Sequence, residues 1–215
     1  LNEAVTYGET VFGESFAAVD KFATGAAEKI GQSRREAIAG ATDFATLGKA
    51  AGLAGDDLAG FSTDLVTLAS DLASARNTST ADAIQAISAG LRGESEPLRR
   101  YGVLLDDATL RQEALGLGII KTTKDALTPQ QKVLAAQSAI FKQTSDAQGD
   151  FARTSDGMAN SQRTAAAEFE NAKAKLGEGL TPDITGAAKA ATTLINVLDK
   201  IPGGTEALGV GIRGG

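Results

Sequence analysis

Thr128-Pro129-Gln130-Gln131-Lys132-Val133-Leu134-Ala135-Ala136 decides the fold class. Thr128 offers a side-chain oxygen to the first free amides. Pro129 brings a fixed φ and no N–H, which suits the first helical position, and Gln131 can reach back to the Thr128 amide. Together they write a helix start. Downstream, apolar residues return at sevenfold spacing: Leu134 with Phe141, Val133 with Ile140, Phe151 with Met158, Ala165 and Ala172, and Phe169 with Leu176. This predicts one helix over 129–176, about 72 Å long at 1.5 Å per residue. Leu134, Phe141, Phe151, Met158, Phe169 and Leu176 form a slowly drifting stripe on it, loosened at Gln148 and Ser155. The stripe is expected to meet another helix, from its own domain or from further copies about a common axis.

Working outward, Ser33 with Glu36 and Ser79 with Asp82 repeat the capping spacing, and Thr181-Pro182-Asp183 does so more weakly. Helices are predicted at 3–31, 34–51, 56–75, 80–91, 96–102, 107–115, 129–176 and 183–200, the last stopped by Pro202-Gly203-Gly204. Sustained period-two alternation is missing, so the class is all-α. Glycine, 25 of 215 residues, exceeds the usual share of about 7%. It gathers at joints that read as hinges: Gly52-Leu53-Ala54-Gly55, Gly116-Leu117-Gly118 and Gly177-Glu178-Gly179. Gly8, Gly13 and Gly25 interrupt the first predicted helix at about 1 kcal/mol each relative to alanine, which makes it the weakest. The joints divide the chain into N-terminal helices (1–54), a short-helix region (55–127), the long helix (128–180) and a final helix with a glycine-rich end (181–215). The expected architecture is short helices in hairpins, then the long heptad-bearing helix and a shorter last one, in an extended or coiled-coil assembly.

Composition narrows the function. Apolar residues make up 42% of the chain, with no Trp and only 5% aromatics. Alanine faces bury little area each, so a thin core is expected, better suited to helices packed on partner copies than to one globule. Asp and Glu outnumber Lys and Arg 27 to 21, for a net charge of −6. No basic run exceeds Arg34-Arg35 or Arg99-Arg100, so no grip on nucleic acid is expected. Cys and His are both absent, which removes disulfides, the usual zinc ligands and the usual neutral-pH base. No metal or cofactor is expected. No signal-peptide pattern is present, and Ala190–Leu198, the longest apolar candidate, is too short for a membrane span. With Leu1 first and Met158 the only methionine, the sequence reads as a segment of a longer chain.

Catalytic arrangements find little support. Asp56-Asp57 and Asp106-Asp107 stand where helices begin, where the helix dipole accounts for them. Glu14-Ser15 and Glu94-Ser95 have the Glu-Ser pairing of lytic transglycosylases without that family's downstream phrase or an aromatic sugar cleft. Gly116-Leu117-Gly118 and Gly48-Lys49 lack the strand and the further glycine of a phosphate loop. Asn77-Thr78-Ser79 reads as an interhelical turn.

A series of phrases nevertheless recurs in order along the chain. Asn77-Thr78-Ser79 precedes a short helix; then come Gly93-Glu94-Ser95-Glu96-Pro97-Leu98, the helix at Leu110 to Leu117, Leu127-Thr128-Pro129-Gln130-Gln131-Lys132 and Gly149-Asp150-Phe151-Ala152-Arg153, with Asn160 heading the next run. From about Gly55 to Leu180 the chain resembles the tail tape-measure proteins of siphophages. The resemblance implies a non-enzymatic structural protein, held in a few copies about an axis in the tail-tube lumen. Such a protein sets tail length during assembly in the host cytoplasm and leaves ahead of DNA at infection. Its implied partners are further copies of itself, tail-tube and tail-tip proteins and assembly chaperones. It assigns Gly93, Glu94, Glu96, Pro97, Leu98, Thr128, Pro129, Gly149, Asp150, Phe151, Arg153 and Asn160 a structural part. The alternatives are a peptidoglycan-cleaving tail module and a helical bacterial surface or secreted protein.

Overall fold

The helix starts written in the sequence are made as read. Ser33 Oγ accepts the Glu36 amide at 3.3 Å while the Glu36 carboxylate takes the Ser33 amide at 2.8 Å. Thr128 and Gln131 form the same reciprocal pair, at 3.2 and 2.9 Å. Ser79 Oγ accepts the Asp82 amide at 3.0 Å, and Asp106 the Thr109 amide at 2.7 Å. Each supplies a partner to an amide that the helix leaves free.

The computed structural model describes residues 1–179, and no strand occurs among them. They form α1 (Asn2–Phe12), α2 (Phe16–Thr24), α3 (Ala26–Ile30), α4 (Arg34–Ala50), α5 (Gly55–Arg76), α6 (Thr80–Leu91), α7 (Asp107–Gly116), α8 (Pro129–Gln143), α9 (Asp150–Arg153) and α10 (Met158–Gly179), with 3-10 turns at Gly13–Ser15 and Glu96–Tyr101. The all-α class holds. The predicted helix at 183–200, its Thr181 start, its Pro202 stop and the 181–215 segment lie outside the described residues.

α5 is the central helix. Leu58, Phe61, Leu65, Val66, Leu68 and Leu72 are all buried on it, covering more than one face. α4 packs antiparallel to α5 after the Gly52 turn, α1 and α2 lie on α4, α6 follows α5, α8 closes over α6 and α4, and α7 pairs with α8. One hydrophobic cluster runs from Phe12 to Ile140, drawing on the 1–54, 55–127 and 128–180 segments alike. The described body thus closes a core within a single chain.

Close approach makes this possible where side-chain volume is scarce. A Cβ on Gly48 would stand 2.7 Å from Leu58 Cδ1, and one on Gly90 only 2.1 Å from Leu98 Cδ1. Large side chains fill the spaces left by missing methyls, so alanine and glycine faces still pack densely.

Two predicted helices are corrected. The 3–31 helix is three helices, broken where Gly13 takes φ 56° and again at Gly25. The 129–176 helix is α8, α9 and α10. α8 ends at Gln143, where Thr144 leaves helical geometry at φ −108° with its amide and hydroxyl both on the Ile140 carbonyl, at 3.0 and 2.7 Å, and Gly149 adopts φ 75°. Arg153 then binds the released carbonyls of Gln148 and Asp146 at 2.6 and 3.2 Å. Sevenfold spacing cannot tell a continuous helix from one broken and restarted in phase. The stripe is therefore divided: Leu134 and Phe141 lean on the main core from α8, Phe151 is buried on α9, and Met158, Phe169 and Leu176 ride on α10, with Met158 80% exposed. α10 runs to Gly179, within the predicted Gly177-Glu178-Gly179 joint, and the chain beyond it lies outside the described residues. Gly52 and Gly118 do take positive φ in turns.

Two glycine substitutions separate packing from propensity. Gly90→Ala drives a methyl into buried Leu98 and is expected to cost about 1–3 kcal/mol. Gly60→Ala in α5 meets nothing within 4 Å and should stabilise by roughly 0.5–1 kcal/mol. Thermal and denaturant unfolding of both variants checks the opposite signs.

Candidate functional site

The polar residues of α5 converge on one end of the helix. Ser70 and Asp71 are buried within the largely apolar run from Leu65 to Ala73, Ser74 follows it, and Asp71 is only 5% exposed. Its own helix has used the neighbouring amides, so its donors come from elsewhere. Asp71 Oδ2 accepts the Gly149 N–H at 2.8 Å and Oδ1 the Phe151 N–H at 3.1 Å. Both amides are free because they begin α9, where orphan N–H groups and the positive dipole end favour an anion. The break that divides the predicted long helix is what supplies them.

The phrase from Gly149 onward closes around this carboxylate. Phe151, 1% exposed, lays its ring against Gly31, where an added Cβ would stand 2.6 Å from Phe151 Cε2. Gly31 also takes φ 65° to cap α3. Ser74 donates to Asp150 Oδ2 at 2.6 Å and accepts from Asn160 Nδ2 at 2.8 Å. Asn160 is 3% exposed and also reaches Thr154 Oγ1 at 2.8 Å. Arg163 holds Asn160 Oδ1 and donates to the Thr78 carbonyl at 3.0 Å and the Ala73 carbonyl at 3.4 Å. A cation thus sits on carbonyls at the negative end of α5. Gln32 meets Ser70 at 2.7 Å from the other side.

Two of the family-like phrases meet here. Tyr101, 3% exposed, shares a hydroxyl hydrogen bond with Thr78 Oγ1 at 3.0 Å, so the Asn77–Ser79 turn is gripped from both sides. Asn77 in that turn adopts φ 50°. Leading to Tyr101, Gly93 takes φ 98° after α6, and Glu94 binds back to the Ala89 carbonyl at 2.9 Å. Glu96 pairs with Arg99 at 3.1 Å, Pro97 sits in the first turn of the 3-10 helix, and Leu98 is fully buried. Thr128 and Pro129 serve separately, at the start of α8.

Sequence reasoning missed Gln32, Ser70, Asp71, Ser74 and Arg163. A carboxylate set between Leu68 and Leu72 was the available signal, because such a group must find donors inside the protein. Chemically the junction is saturated: both Asp71 oxygens hold backbone amides, and Ser74 is occupied as donor and acceptor. This geometry joins segments and leaves none of these atoms directed at a substrate. Glu14 and Glu94, the lytic-type candidates, are both exposed, and Glu94 lies 3.6 Å from Arg92.

Burial raises the Asp71 carboxyl above the ordinary range despite its two amide donors, with Asp150 adding to the rise and Arg153 opposing it. The Lys142 and Ser138 bonds lower Glu113. A raised acid adds stability below its unfolded pKa and loses it as pH rises through the folded value; a lowered acid does the reverse. The stability of wild type relative to Asp71→Asn should therefore rise as pH falls from neutral to about 4. Relative to Glu113→Gln it should fall below about pH 4.5. Melting temperatures across pH 3–7 check both signs (about this range spans the carboxylate titrations).

Comparisons of the chain with protein-family models, with curated proteins and with solved structures give no match, so its functional reading rests on its own residues and their geometry.

Proposed function

We propose that the chain is a structural, non-enzymatic part of a phage tail, a tape-measure protein that occupies the tail-tube lumen, sets tail length and departs ahead of DNA. The observation that carries this reading is the convergence at Thr78. The phrases that resemble the family in order meet at this end of α5: Asp150 of the Gly149 phrase accepts from Ser74, Asn160 donates to Ser74, and Tyr101, just after the Gly93 phrase, bonds Thr78, while Arg163 from outside the phrases holds the Thr78 carbonyl. A series of this kind describes a fold, and resemblance in the series is resemblance in what holds the helices. The net charge of −6 favours neither phosphate binding nor adhesion to passing DNA. No helix of the described residues is long and apolar enough to cross a membrane.

The reading has a mechanical consequence. A continuous helix measures length at 1.5 Å per residue, whereas a body folded back on α5 does not lengthen in proportion to its residues. Under this proposal residues 1–179 act as a folded station on the tape, positioned against further copies and against tail-tube or tail-tip proteins, with assembly chaperones engaged in the cytoplasm.

The test uses particles induced from the strain that carries the gene. Purified tailed particles should contain the chain, and an in-frame deletion of its coding sequence should leave capsids without tails of uniform length. Normal tails in the deletion strain, seen by electron microscopy, would overturn the proposal.

A further inference from the structure

Beyond the junction, α10 crosses α4 and leaves an open trough of about 750 Å3 with α6 as its other wall. Its floor and inner walls are Ala39 and Gly40 of α4, Ile84 of α6, and Ala166 and Ala167 of α10. Four of its five charged groups are carboxylates: Glu36 and Asp43, seven apart on α4, with Asp82 on α6 and Glu170 on α10. The cation present, Arg163, is engaged by Asn160 and by the Ala73 and Thr78 carbonyls. Among the described residues, neither the Asp43 nor the Asp82 carboxylate accepts a hydrogen bond, and Glu170 meets only Lys173, at 2.8 Å on the surface. Partial desolvation by the neighbouring helices raises the Asp43 carboxyl although its side chain is exposed, and a nearby cation would oppose that rise.

We propose that this trough is the docking site of an amphipathic α-helix from a partner protein, with an apolar strip of small side chains flanked by Lys or Arg. Three features select this occupant. The walls are helices that offer no open strand edge, so a guest must satisfy its own backbone hydrogen bonds, which a helix does and an extended strand does not. The small floor residues allow a fourth helix to approach to about 8–10 Å between axes, the usual packing distance. The carboxylates on all three sides complement cations on the guest and repel nucleic acid and acidic helices. Glu36 and Asp43 stand two turns apart on one face of α4 and match cations spaced by a heptad on the guest. The proposal does not rest on the tail reading, because trough and charges are the same whatever the whole chain does.

The experiment measures binding of a fluorescent synthetic helix of about twenty residues, with an alanine and leucine strip and lysine flanks, to the full 215-residue chain. Saturable binding that weakens with salt is expected. Asp43→Lys with Glu170→Lys should weaken it by at least about tenfold. The charge-matched control Glu14→Lys with Asp146→Lys should change it little. Ala166→Trp, an exposed position on the α10 wall, should fill the trough and weaken binding without altering net charge, which covers the case in which the double reversal misfolds. Circular dichroism monitors the fold of each variant. No binding, equal loss in the control pair, or undiminished binding to Ala166→Trp would overturn the proposal. So would sedimentation showing a wild-type dimer abolished by Ala166→Trp, which would assign the trough to a second copy of this chain.

Discussion

A carboxylate sealed inside a helix bundle cannot be answered by its own helix, and the described fold is organised around that constraint at Asp71. Every N–H of an α-helix interior is already bound to a carbonyl, so donors for the two Asp71 oxygens must come from a second segment with amides to spare. Helix N-termini are the places where a chain has them. The protein creates one by stopping α8 at Gln143, turning through Gly149 and restarting at Asp150, which frees the Gly149 and Phe151 amides to face Asp71. The break is a requirement of the core and no defect in a long helix. It also fixes the position of Phe151, whose ring reaches Gly31 and ties α9 to the end of α3.

An alanine-rich chain with few aromatics still builds a core because its glycines sit opposite its largest side chains. Gly8 faces Phe16, Gly31 faces Phe151, Gly48 faces Leu58 and Gly90 faces Leu98. Each pairing sets a bulky group where a methyl is missing, which shortens the distance between helices and recovers contact area that alanine alone would not supply. The glycine excess therefore has two uses. In turns such as Gly52 and Gly149 it permits positive φ; inside helices it makes room.

What was legible in the sequence was local. The Ser33, Ser79 and Thr128 caps involve residues three apart, so type and spacing suffice to read them. Asp56-Asp57 and Asp106-Asp107 are legible through the helix dipole, and both pairs lie where a helix begins. The heptads after Pro129 misled because periodicity reports which residues share a phase and says nothing of whether the helix between them is intact. Gly149 stands in a phrase that the sequence makes legible, but its partner carboxylate lies 78 residues earlier, and no spacing rule spans that distance.

The two segments that converge on Thr78, the 3-10 helix after Gly93 and the start of α10, depend on each other. Tyr101 fixes the side chain of that turn and Arg163 its carbonyl, so the turn between α5 and α6 is set only when both the 3-10 helix after Gly93 and the first turns of α10 are in place. Asn160 and Arg163 anchor the root of α10, and farther along Asn171 accepts the Arg34 amide at 2.8 Å. Besides these polar ties the buried side chains described on α10 are alanines, Ala167 and Ala172. Directional hydrogen bonds therefore set the axis of α10, while apolar contact adds little that depends on angle. A helix fixed in this way is aligned firmly at its start and leaves open space along its flank, and that space is the acidic trough between α10 and α6.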